Sequence, residues 1–179
     1  MNFEFSSDQM LLKDQARKFL ENEDSVKKAR GVLEGDESHD ESLWKSIIEM
    51  GWTATTIPEK FDGLGLSYLE LCVIAEELGR SLAPTPFSSS VYLATEAILN
   101  HGSKDQQQNY LPKLAIGEVI GTLAHTETTS APTQENLNCE LKNDKLYGTK
   151  IAVPDGDIAN FAVVSARSGD NVVLCLVDL

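Results

Sequence analysis

Apolar positions in the first two thirds of the chain recur every three or four residues, the spacing that lines up side chains on one face of an α-helix. Leu12, Ala16, Phe19 and Leu20 form one such face, with Ser6 or Ser7 placed to cap its start. Leu43, Ile47 and Met50 form a second, closed by Gly51. Ser67 followed by Glu70 has capping-box spacing, in which hydroxyl and carboxylate each satisfy a backbone N–H left free at a helix start. Leu71, Ile74 and Leu78 then supply the apolar stripe, which stops near Gly79. Residues 91–100 predict a further helix closed by His101-Gly102, and Ser103 with Gln106 repeats the capping box before a helix running into Leu114. Residues 31–41, with Gly35, Asp36, Glu37, Ser38 and Asp40, read as a solvated, flexible connector.

After Gly117 the period changes. Residues 119–126, 137–142, 158–166 and 172–179 are rich in β-formers, and the turns at Asn143-Asp144 and Ser168-Gly169-Asp170-Asn171 predict hairpins. The fold class expected is therefore α+β: an N-terminal all-α helical bundle over residues 1–117, then an antiparallel β-barrel domain over residues 118–179. Four strands leave open edges, and the last reaches Leu179 without a polar tail, so the barrel is expected to be incomplete.

Composition narrows the classes. An apolar share of 41%, a charged share of 24% and the absence of a long apolar run argue against a membrane span. The opening Asn2-Phe3-Glu4-Phe5-Ser6 lacks the basic, apolar and small-residue succession of a secretory signal, so a cytoplasmic location is expected. A formal charge of −13, with only 15 scattered Lys and Arg, argues against nucleic acid as a partner. Cys72, Cys139 and Cys175 have no metal-binding spacing and are expected as buried thiols; His39, His101 and His125 are expected to be structural rather than metal ligands.

A series of short motifs adds an identity that periodicity cannot. Gly51-Trp52, Pro58-Glu59 and Gly63-Leu64-Gly65 follow a Gly-Trp-x5-Pro-Glu-x-x-Gly-Gly-x-Gly pattern in which Asp62 replaces one glycine. Glu76-Glu77-Leu78-Gly79, the prolines Pro84 and Pro86, and Gly102-Ser103 through Leu111-Pro112 come next. Gly117-Glu118, Ala124-His125-Thr126-Glu127 and Leu146-Tyr147-Gly148-Thr149-Lys150 complete the order. With these motifs in this order the whole chain resembles the acyl-CoA dehydrogenase family, and Val153-Pro154-Asp155 after Lys150 is similar to a divergent bacterial branch that includes subunits of hetero-oligomers.

The resemblance implies a flavoenzyme that uses FAD to desaturate an acyl-CoA thioester, in β-oxidation or related lipid metabolism, and passes electrons to an electron-transfer flavoprotein. It implies a homo- or hetero-oligomer. Family members are roughly twice as long, with a second helical domain at the C-terminus, so this chain is read as a fragment lacking that domain and inactive by itself. The catalytic carboxylate comes from that domain; no catalytic residue is assigned here, and Glu76, Glu77 and Glu127 are expected to serve surface solvation or packing. Leu123, His125 and Thr126 occupy the loop that lies beside the flavin ring, with Thr126 the best single candidate for a hydrogen bond to its reducible edge. Ala152, Val153 and Pro154 stand where the family has an aromatic residue, Ile and Thr against the flavin, and Thr128-Thr129-Ser130-Ala131-Pro132-Thr133 replaces the usual Pro-x-Ala-Gly-Ser-Asp. The alternatives are a non-catalytic or partner subunit, or an acyl-CoA oxidase or flavin monooxygenase on the same scaffold.

Overall fold

The computed structural model describes residues 4–130 and 132–179, so the readings of Asn2-Phe3 and of Ala131 lie outside the described residues. The helices are α1 (Ser7–Asn22), α2 (Ser25–Glu34), α3 (Glu41–Glu49) and α4 (Tyr68–Arg80), followed by a π-wound segment (Ser88–Thr95) that runs into α5 (Glu96–His101), and α6 (Lys104–Ala115). Three of them start on the reciprocal side-chain bonds of a capping box: Ser6 with Gln9, Ser67 with Glu70, and Ser103 with Gln106.

Two expectations are corrected in this half. Residues 31–34 form the last turn of α2 and Glu41 opens α3, so the connector is shorter than residues 31–41. Met50 is 45% exposed, because α3 ends at Glu49 and Gly51 then turns the chain with φ 75°; the buried face of α3 is Leu43, Trp44 and Ile47. These three pack with Ala16, Leu20, Trp52, Leu71 and Ile74 into a first core, in which Phe19 meets the Trp52 ring edge-on at 5.2 Å. Glu77, fully buried on α4, faces Arg17 of α1 and ties the two helices together.

The strands are β1 (Gly121–Ala124), β2 (Glu140–Lys142), β3 (Lys145–Tyr147), β4 (Phe161–Ser168) and β5 (Asn171–Asp178), in one open sheet centred on β4. The β2–β3 and β4–β5 hairpins are antiparallel, with Asn143 (φ 48°), Asp144 (φ 59°) and Gly169 (φ 61°) supplying the left-handed turn positions. The sheet is nevertheless mixed, because β1 runs parallel to β4 from Gly121↔Phe161 to Ala124↔Val164, and β2 meets β4 in parallel at Glu140↔Arg167. The long stretch between β1 and β4 permits the crossover that a parallel pair requires and a tight hairpin forbids.

Helices cover one face of this sheet. Phe161 and Val163 of β4 are buried among Ile57, Ile98, Leu111 and Leu114, while Ala162, Val164 and Ala166 point to the opposite face with Ala124 and Cys139. Helical and strand halves thus share a core. Cys139 is buried as expected, Cys175 is partly buried, and Cys72 is exposed on α4, which corrects the expectation of three buried thiols. Among the described residues no helix is long and apolar enough to cross a membrane.

Candidate functional site

The end of β1 is gripped from several sides. A Cβ on Gly121 would come within 2.4 Å of the Phe161 ring and 2.6 Å of Ala94 Cβ, so only glycine lets β1 pass this close to the π-wound segment. Fully buried Thr122 donates from Oγ1 to Pro154 O at 2.6 Å. Just past the strand, Ile151 N donates to Thr126 O at 2.8 Å.

These bonds bring Leu123, His125 and Thr126 beside Ala152, Val153 and Pro154. Leu123 is partly buried against the helical core, His125 is exposed and Thr126 is partly buried. Among the described residues the Thr126 hydroxyl has no hydrogen-bond partner. Ala152 and Pro154 are exposed, with Ala152 in the left-handed region at φ 49°, whereas Val153 packs inward on the sheet cluster. The rim therefore combines a free hydroxyl, an imidazole and a small apolar ledge. Beyond it Thr128, Thr129 and Ser130 are exposed, and Thr128 Oγ1 accepts from Ser130 N at 3.3 Å.

Beneath the rim lies a polar cluster that the sequence reading missed. Lys150 Nζ is 2.7 Å from Glu127 Oε1, 3.1 Å from Ser165 Oγ and 3.3 Å from His125 O. Glu127 also accepts from Asn138 N at 2.6 Å and Cys139 N at 2.9 Å, and His125 Nδ1 is 2.8 Å from Ser165 Oγ. Burial alone pushes the Glu127 carboxyl up, but the Lys150 ammonium and the two amide donors outweigh it and hold the group down at about 2. A carboxylate whose oxygens are engaged in this way is a poor base for a carbon acid, so Glu127 has a structural role. The expectation for the glutamates holds for exposed Glu76, paired with Lys13; Glu77 and Glu127 are instead buried ion-pair partners. One available signal was Ser165, a lone hydroxyl inside the apolar run of β4.

Comparison with known proteins gives the arrangement a context. Residues 6–118 match the family model described as acyl-CoA dehydrogenase, N-terminal domain. The mitochondrial isovaleryl-CoA dehydrogenase of Arabidopsis thaliana is 28% identical over 170 residues, covering 92% of this chain and 42% of that protein. A solved structure concerned with the electron transferring flavoprotein of Acidaminococcus fermentans is similar over 100% of this chain and 50% of that chain, with 28% identity and a TM-score of 0.81. The ChsE4-ChsE5 complex from Mycobacterium tuberculosis, at 24% identity and TM-score 0.86 over 99% of this chain and 49% of that one, shares the fold. The chain thus spans less than half the length of the plant relative and about half that of the two solved chains. Since the domain match takes in well over half of its residues, this chain belongs to the acyl-CoA dehydrogenase family.

Proposed function

We propose that this chain forms the flavin-facing wall of an FAD-dependent acyl-CoA dehydrogenase, an oxidoreductase acting on the Cα–Cβ bond of an acyl-CoA thioester. The observation that carries this reading is the Ile151–Thr126 backbone bond, which sets the two segments side by side and puts partly buried Thr126 and exposed His125 on one rim. Donors in that position fit the acceptor-rich edge of an isoalloxazine, with Leu123, Ala152 and Pro154 as apolar neighbours. When bound, FAD supplies the hydride acceptor for the substrate β-carbon. The residues of this chain hold that edge, and a buried N–H or O–H there stabilises negative charge without reorganising.

The α-proton requires a carboxylate with free lone pairs; Glu127 and Glu77 are engaged in ion pairs, and the family resemblance implies that this base comes from a C-terminal helical domain. The working division is residues 1–117 as helical domain and 118–179 as part of the β-domain. An acyl-CoA substrate, an electron-transfer flavoprotein as acceptor, a homo- or hetero-oligomeric assembly and a cytoplasmic location belong to the same proposal. The test is to purify the complete polypeptide with any partner subunit, record its visible spectrum, and assay acyl-CoA-dependent reduction of an artificial acceptor. A yellow protein that reduces the acceptor is expected; a colourless one that refuses added FAD overturns the reading.

One observation favours a second reading, as a partner subunit. Ala152 is small and exposed where the family resemblance implies an aromatic ring, so stacking on the flavin would have to come from elsewhere. If the purified subunit binds FAD only when mixed with a second subunit, this reading replaces the first.

A further inference from the structure

We infer that Lys150 and Ser165 form a hydrogen-bond relay that fixes the neutral His125 ring as its Nε2–H tautomer, making it a donor at the end of β1. The three hydrogens of an ammonium group each have one acceptor here: Glu127 Oε1, His125 O and Ser165 Oγ. Lys150 is therefore fully committed, and one of its hydrogens occupies a lone pair of Ser165. Ser165 is 1% exposed, so its own O–H needs an acceptor within the protein. His125 Nδ1, at 2.8 Å, is that acceptor. A nitrogen that accepts must be bare, and a neutral imidazole then carries its proton on Nε2.

The competing arrangement puts the proton on Nδ1 and reverses this bond. The Ser165 hydrogen would then be left in a buried site without an acceptor among the described residues, the penalty that any unsatisfied buried polar group carries. Because Nδ1 is turned toward β4, Nε2 lies on the far side of an exposed ring and points away from the sheet. Lys150 and Ser165 are thus positioning residues, and His125 is the group they present. What it suits is a hydrogen-bond acceptor on a ligand; naming that ligand as flavin rests on the function proposed above.

Nitrogen-15 NMR of histidine-labelled protein at mildly alkaline pH, where a free imidazole is neutral, reads the tautomer directly, with the His125 resonances identified by their loss in His125→Gln. The expected spectrum has a bare Nδ1 and a protonated Nε2. Ser165→Ala should lose this preference and return the ring to a mixture of tautomers, and Ser165→Thr should restore it. A protonated Nδ1 in the unmodified protein, or an unchanged fixed tautomer in Ser165→Ala, overturns the relay; the first measurement decides even if the variant fails to fold. Added FAD should then shift the Nε2 resonance. A fixed tautomer that FAD leaves unmoved would overturn the flavin reading while the relay stands.

Discussion

Lys150 Nζ stands 2.7 Å from Glu127 Oε1 with both side chains 8% exposed, so a buried ion pair joins the loop after β1 to the segment after β3. Removing either partner strands the other charge, and the general cost of breaking a buried pair is about 3–5 kcal/mol. Lys150→Met and Glu127→Gln should each lower stability in urea denaturation. The double variant should cost clearly less than the two single losses added together, because no charge is then stranded. Additive losses would show that the two residues act independently.

Glu77 predicts an acid sensitivity. Arg17 holds this fully buried carboxylate with Nε at 3.0 Å and Nη2 at 2.7 Å, Arg80 Nε adds a bond at 2.9 Å, and the Arg17 hydrogen bonds do most to hold the group down at about 2. An unfolded glutamate titrates near 4.3, roughly the usual model value. Between that value and about 2 the unfolded chain binds more protons than the folded one, so stability falls as pH falls through this window. Glu127, also held at about 2, contributes in the same direction. Unfolding free energies measured from neutral pH downward should decline steeply in this interval, and Glu77→Gln should flatten the decline while lowering stability at neutral pH.

Gly121 should not tolerate alanine. Its Cβ would meet the Phe161 ring at 2.4 Å and Ala94 at 2.6 Å, both parts of a buried core with little room to move. Overpacking of this kind costs about 1–3 kcal/mol. The displacement would also move β1, and with it Thr126, so Gly121→Ala should lower both the melting temperature and FAD retention. Loss of stability with unchanged FAD retention would separate the strand from the site.

Thr126→Val removes the free hydroxyl at nearly constant shape. If that hydroxyl holds the flavin edge, the loss is one hydrogen bond, about 1–1.5 kcal/mol, or roughly tenfold in affinity. Titration of the complete protein with FAD, followed by flavin fluorescence, should show that weakening in Thr126→Val and near-normal binding in Thr126→Ser. Equal affinity in all three proteins would remove Thr126 from the site.

What could be read from the sequence was local. The capping boxes at Ser67 and Ser103 and the Asn143-Asp144 turn involve partners within a few residues, and each appears where its pattern placed it. Helix α2 escaped notice because Asp24 caps it without a side-chain bond, and its Val26 and Leu33 lie exposed rather than in a core, with only Ser25 buried. The parallel β1–β4 pairing and the Lys150–Ser165–His125 chain escaped for a different reason. Their partners meet only after the sheet assembles, and no spacing rule links Glu127 to Lys150 or His125 to Ser165. The rim was approached through family motifs, which marked positions without showing that Val153 turns inward and away from its neighbours.

The C-terminus of α4 gives a prediction of opposite sign. The helix ends at Arg80, next to the Gly79 near which the sequence suggested a stop, and the left-handed residue that closes it is Leu82, at φ 53°. Ala83 N bonds Leu78 O at 3.0 Å and Leu82 N bonds Gly79 O at 3.2 Å, the paired bonds of a Schellman cap. That cap favours glycine at the position Leu82 holds, since an L-residue with a Cβ costs roughly 1–2 kcal/mol in this region. Leu82 is 64% exposed, so replacing it forfeits little burial. The extra freedom of glycine in the unfolded chain returns about 0.5–1 kcal/mol of the gain. Leu82→Gly should therefore stabilise the protein by up to about 1 kcal/mol, seen as a higher urea midpoint at unchanged slope, while Gly79→Ala, in open space inside the same helix, should stabilise it through helix propensity. A lower midpoint for Leu82→Gly would mean that the exposed leucine makes contacts worth more than the strain of its backbone.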